Sequence, residues 1–152
     1  MKTLIVCSSM HRGNTKMIAE AMAEILDADL MEPQEADLVN LEQYDLVGFG
    51  SGVYGGRPHK SIEKFVFGLP RFRGRKAFVF STSWRGKPSY KQYLKNKLTC
   101  KGFDVAGDFC CKGFNCFGPF KLIGGLNKGR PNKEDVEKAR DFARKLKSQE
   151  CI

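Results

Sequence analysis

The sequence predicts an α/β fold: a parallel sheet with helices on both faces. Three observations carry this. Short apolar, β-branched runs recur at residues 3–6, 45–50 and 75–81, with shorter or more mixed ones at 28–31 and 103–110. Between most of them, apolar residues recur at i, i+3, i+4 and i+7, the period of one helix face. The run-and-helix alternation is that of successive βα units, which pack as a sheet between two helical layers.

The elements follow in order. Residues 3–6 are the first strand, and Ile18, Ala21, Met22 and Ile25 mark the core face of a helix over residues 14–26. A short second strand lies near residues 28–31. Glu32-Pro33 ends it, and residues 34–44 read as a polar connection with a turn at 41–44, so the helix due there is reduced to a turn. Residues 45–50 form the third strand, continuously apolar as a strand covered on both faces must be. Residues 51–58 carry several glycines and Pro58 and read as a loop. The next helix presents Ile62, Phe65, Val66 and Leu69 and is stopped by Gly68 and Pro70. Residues 75–81 are the fourth strand, 82–88 a second polar loop, 89–99 a helix closed by Gly102, and 103–110 the fifth strand. Residues 111–131 are irregular, with Phe114, Phe117 and Phe120 expected to cover an edge of the core. Asn132 then caps a last helix whose stripe is Val136, Ala139, Phe142, Ala143 and Leu146.

With 152 residues the chain is long enough for one domain with a real core and too short for two, so residues 1–152 are expected to form a single domain. No apolar run approaches a membrane span. Met1-Lys2-Thr3 leads straight into the first strand without a signal-peptide pattern, and a cytoplasmic, monomeric protein is expected. Six cysteines in such a setting are expected to be free thiols. Cys110-Cys111-x4-Cys116 lacks the paired spacing of a metal site, and no metal is expected. The net charge is +9 and uneven: residues 1–75 hold 9 basic and 10 acidic side chains, residues 76–152 hold 17 and 7. The lysines are scattered through helical patterns and no nucleic-acid motif accompanies them, so the excess reads as a docking face for an acidic partner rather than for nucleic acid.

The junction after the first strand is Cys7-Ser8-Ser9-Met10-His11-Arg12-Gly13-Asn14-Thr15. A strand feeds a polar turn, and the turn opens a helix. The first N–H groups of that helix lack intrahelical partners and the helix dipole adds partial positive charge, which suits a phosphate. Ser8, Ser9 and Thr15 add hydroxyls. The same residues also suit a plain capped turn, since Ser and Asn are common at helix starts. The loop carries neither G-x-G-x-x-G nor G-x-x-x-x-G-K-[ST], so a mononucleotide is the expected phosphate bearer.

Ser9-x-His11-x-Gly13-Asn14-Thr15 resembles the FMN phosphate loop of the flavodoxin family. Met10, His11 and Arg12 depart from its hydroxyl-rich middle. Ser51-Gly52-Val53-Tyr54-Gly55-Gly56 and Ser81-Thr82-Ser83 are similar to the second and third flavin loops of that family, and the stretch from Phe117 to Asn132 resembles a subgroup of its short members. The resemblance implies a three-layer, flavodoxin-like sandwich with a five-stranded parallel sheet in order 2-1-3-4-5. It places the cofactor beyond the carboxyl ends of the strands, where the loops after strands one, three and four meet. It implies FMN as cofactor, held by Ser8, Ser9, His11, Arg12, Gly13, Asn14, Thr15, Ser51, Gly52, Val53, Tyr54, Gly55, Gly56, Ser81, Thr82, Ser83, Trp84 and Tyr90. A flat isoalloxazine also needs aromatic or apolar walls. Tyr54 and Trp84 are the favoured walls, with Tyr90 a third candidate. His59 is expected near a helix start. No catalytic side chain is required, because the flavin supplies the chemistry.

The function implied is a low-potential one-electron carrier between redox proteins. An NAD(P)H:quinone-type reductase on the same fold is the alternative, and a partner-binding module without FMN is a third reading.

Overall fold

The computed structural model describes residues 1–8, 13–37, 39–54, 56–83, 89–113 and 129–150. The elements are β1 (Thr3–Ser8), α1 (Asn14–Leu26), β2 (Asp29–Met31), α2 (Pro33–Ala36), β3 (Leu46–Tyr54), β4 (Arg57–Pro58), α3 (Lys60–Gly68), β5 (Arg75–Ser83), α4 (Ser89–Cys100), β6 (Phe103–Lys112) and α5 (Lys133–Glu150). The sheet runs β2-β1-β3-β5-β6 with every pair parallel. Setting the two-residue β4 aside, this is the expected order 2-1-3-4-5.

Each face of the sheet has its own core. Leu4, Val6, Val47, Phe49, Ala77 and Val79 pack against Ile62, Phe65 and Val66 of α3 and Leu94 and Leu98 of α4. Ile5, Cys7, Phe78 and Phe80 pack against Ile18 and Met22 of α1 and Ala139, Ala143 and Leu146 of α5. Strand residues alternate between the two faces because strand side chains have period two. On the second face Gly48 pairs with Phe78 and Gly50 with Phe80. A Cβ on either glycine would run into the facing phenyl ring. The glycines are therefore slots for rings that reach over β3.

Three sequence expectations need correction. Residues 51–58 are not a plain loop: β3 continues through Tyr54 and folds back as a hairpin, with Val53 opposite Pro58 and Tyr54 opposite Arg57. Ser51 and Gly52 pair with Ser81 and Thr82, and this ladder outweighs the local glycine signal. For the same reason β5 runs on to Ser83 and β6 to Lys112, where Ser83 meets Lys112. The polar connection after β2 contains a one-turn helix. Glu32 and Glu35 form a reciprocal capping box around Pro33, followed by a 3-10 turn at Leu41–Gln43. Phe114, Phe117, Phe120 and Cys116 lie outside the described residues. No helix among the described residues is long and apolar enough to cross a membrane.

Candidate functional site

β1 ends at Ser8, while its neighbours β3 and β5 run on past the same level to Tyr54 and Ser83. Ser8 lies beside Ser51, and Ser51 beside Ser81, so three serines form a row across the sheet. All three are buried. They continue the alternation of Val6, Phe49 and Val79 and so face the α3–α4 side. Ser8 accepts a hydrogen bond from Ser61 Oγ at 2.7 Å and lies 3.2 Å from His59 Nδ1. Ser51 Oγ accepts from the His59 N–H at 2.8 Å and donates to the Gly52 carbonyl. His59 caps α3, its Nδ1 accepting from the Ser61 N–H at 3.1 Å. His59 thus ties β1 to β3, through its imidazole to Ser8 and through its backbone N–H to Ser51. In contrast, Ser81 Oγ is buried and has no hydrogen-bond partner among the described residues. Such orphans are uncommon because desolvating a hydroxyl without compensation is costly.

On the other face, Thr15 Oγ1 and Thr82 Oγ1 are 2.7 Å apart, both buried. This bond joins the start of α1 to the end of β5. The Gly113 N–H donates to the Ser83 carbonyl at 3.0 Å. A Cβ on Gly113 would lie 2.9 Å from the Asn14 amide nitrogen, so the end of β6 is held close against α1.

Gly13, which has no side chain to cap the helix with, occupies the cap position of α1 with φ 65. The first turn contains no acidic residue. The first intrahelical bond of that turn runs from the Met17 N–H to the Gly13 carbonyl. A first turn without an acidic residue leaves the positive end of the helix favourable to an anion.

The structure therefore brings together Ser8, Gly13, Asn14, Thr15, Ser51, Gly52, Val53, Ser81, Thr82 and Ser83, with Gly56 in the hairpin turn at φ 81. Tyr54 ends β3 and Tyr90 lies in the first turn of α4, but their side chains, like Ser9, His11, Arg12, Gly55 and Trp84, lie outside the described residues. Sequence reasoning missed Ser61, Gly113 and the pair of buried Lys91 with half-buried Asp108. Lys91 had a signal, because Lys91, Leu94 and Leu98 are spaced i, i+3, i+7 and so share the core-facing stripe of α4. Burial pushes the Cys111 thiol up to about 12 and the Cys7 thiol higher still. Neither provides a thiolate nucleophile at neutral pH.

The sequence model described as "Flavodoxin domain" matches residues 4–114. The chain belongs to the flavodoxin domain family. An uncharacterized protein of Methanocaldococcus jannaschii is 45% identical over 148 residues, covering 96% of this chain and 98% of that protein. The oxidised flavodoxin 2 of Bacillus cereus superposes with a TM-score of 0.76 at 24% identity, over 98% of this chain and 99% of that one. A flavoprotein of Lactobacillus acidophilus in complex with FMN superposes with a TM-score of 0.58 at 25% identity, over 72% of this flavodoxin-family chain and 92% of the other.

Proposed function

We propose that residues 1–152 form one FMN-binding domain that works as a low-potential, one-electron carrier between redox proteins. The observation that carries this reading is that the carboxyl ends of β1, β3 and β5 meet beside the acid-free first turn of α1, which Gly13 opens. The residues fit the cofactor. Gly13 leaves open space where a Cβ would stand, so a phosphate can approach the first amides of α1, with Thr15 beside them. The hairpin at Ser51, Gly52, Val53, Tyr54 and Gly56 and the strand end Ser81, Thr82 and Ser83 flank the room left for the ring. Ser81 Oγ supplies an unused hydrogen-bonding group there. Ser9, His11, Arg12, Gly55, Trp84 and Tyr90 complete the proposed set.

When bound, FMN accepts one electron from a reduced donor protein and passes it to an oxidised acceptor. The protein orients the cofactor, walls one side from water and sets its electrostatic surroundings. Exposed Lys16, Arg57, Lys60, Lys112 and Lys133 stand at the carboxyl end of the sheet, each from a different element. They support docking of an acidic redox protein around the cofactor edge. We place the protein in the cytoplasm as a monomer.

The test is reconstitution followed by electron exchange. The protein should take up FMN, accept electrons from an acidic donor protein, and show no sustained NAD(P)H oxidation with a quinone. Sustained turnover with NAD(P)H and a quinone would replace the carrier reading with the reductase one.

A further inference from the structure

Lys91 is 8% exposed, in the first turn of α4. Its ammonium pairs with Asp108 of β6. Lys95, one helical turn further on, pairs with the same carboxylate at 3.0 Å. Two ammonium groups thus share one carboxylate, and the cluster keeps one net positive charge. Lys91 also lines a small cavity of about 10 Å³ with Ser51, Gly52, Val53 and Ser81, the strand ends assigned above to the flavin. Burying an ammonium costs desolvation energy that a fold seldom spends without return. The first turn of α4 contains no acidic residue and adds its own dipole in the same direction.

We infer that Lys91 supplies a fixed positive charge behind the ends of β3 and β5, which makes the protein hold reduced FMN more tightly relative to oxidised FMN. The inference rests on the FMN reading and deepens it. One electron taken from a reduced donor adds one negative charge to the cofactor unless a proton follows. A buried cation near the strand ends favours that added charge and is screened less than a surface lysine. Asp108 opposes it and Lys95, further along α4, reinforces it weakly. Burial would raise the Asp108 carboxyl, but hydrogen bonds from Lys91 and then Lys95 outweigh this and hold it below its ordinary range. The carboxylate is therefore ionised at neutral pH.

The experiment measures dissociation constants for oxidised FMN and for dithionite-reduced FMN, together with the one-electron potentials, in wild type, Lys91→Met, Lys95→Met and Asp108→Asn. Lys91→Met leaves Asp108 paired with Lys95. It should weaken reduced FMN relative to oxidised FMN by roughly three- to tenfold, as expected for one partly screened charge. A tenfold change in that ratio, which spans two electrons, corresponds to about 30 mV in the midpoint potential of the two-electron couple. Lys95→Met should change the ratio less, and Asp108→Asn should shift it the opposite way. A merely structural role would move Lys91→Met and Asp108→Asn in the same direction. Should Lys91→Met fail to fold, Lys91→Gln and Asp108→Asn carry the same comparison. Ratios within twofold of wild type, or shifts of the same sign, would overturn the inference while leaving the FMN reading intact. Failure of the wild-type protein to take up FMN would overturn the cofactor reading and this inference with it.

Discussion

Asp135 organises the start of α5 through a single buried carboxylate. It is 2% exposed, holds the Arg130 guanidinium through both oxygens, and accepts from the Asn132 N–H at 2.9 Å. The Asp135 N–H in turn donates to Asn132 Oδ1 at 3.0 Å. Burial favours the neutral acid, but the Arg130 hydrogen bond and the Asn132 amide prevail and hold its pKa below the usual carboxylate range. The folded state therefore binds this proton less readily than the unfolded chain. The stabilisation is complete above the unfolded value of about 3.9 and is lost as pH falls through the lowered folded one. Asp135→Asn should lower stability at pH 7 by about 1–3 kcal/mol and flatten the acid limb of a stability–pH profile measured by urea unfolding. An unchanged acid limb would place the acid sensitivity elsewhere. Thr15→Val removes the buried bond to Thr82 and strands that hydroxyl. It should cost about 1–3 kcal/mol in the same urea titrations and weaken FMN in fluorescence titration. Asn132 was readable as a cap because capping is local in sequence. The part played by Asp135 was not, since its burial depends on how α5 meets the sheet. His59 was readable only as a residue near a helix start. Its links to Ser8 and Ser51 span 51 and 8 residues, which no local pattern encodes.

At the scale of elements, the bounds of α1 and the stripe of α5 followed from periodicity, and the sheet order from the family resemblance. Strand ends did not. Glycines at 50, 52 and 55 signal a break, yet β3 continues to Tyr54 because β1, β5 and β4 offer it partners. Strand formation answers to its neighbours more than to its own propensities. Gly48 and Gly50 illustrate this, since their lack of a side chain is the space filled by Phe78 and Phe80, whose ring centroids lie 6.1 Å apart. Gly50→Ala should overpack this face and cost about 1–3 kcal/mol, read as a lowered denaturant midpoint. A midpoint equal to wild type would mean that the Phe80 ring moves aside without loss.

For the whole molecule, the fold gathers basic side chains from both halves of the sequence at one end. Parallel strands put every following helix start at one end, so Lys16, Lys60 and Lys133 gather with Arg57 and Lys112 around the candidate site. Electron transfer from an acidic donor should slow steeply as ionic strength rises. The double charge reversal Lys60→Glu with Lys112→Glu should remove most of that dependence in stopped-flow traces. A rate that is flat or rises with salt would dismiss the docking face. The account stands or falls on the phosphate turn, and comparing FMN with riboflavin in equilibrium titrations of wild type and Gly13→Val tests it most directly. The account predicts one FMN per chain, much weaker binding of riboflavin, and a substitution at the positive-φ Gly13 that weakens FMN far more than riboflavin. Absence of FMN binding, or equal weakening of both ligands, would contradict it.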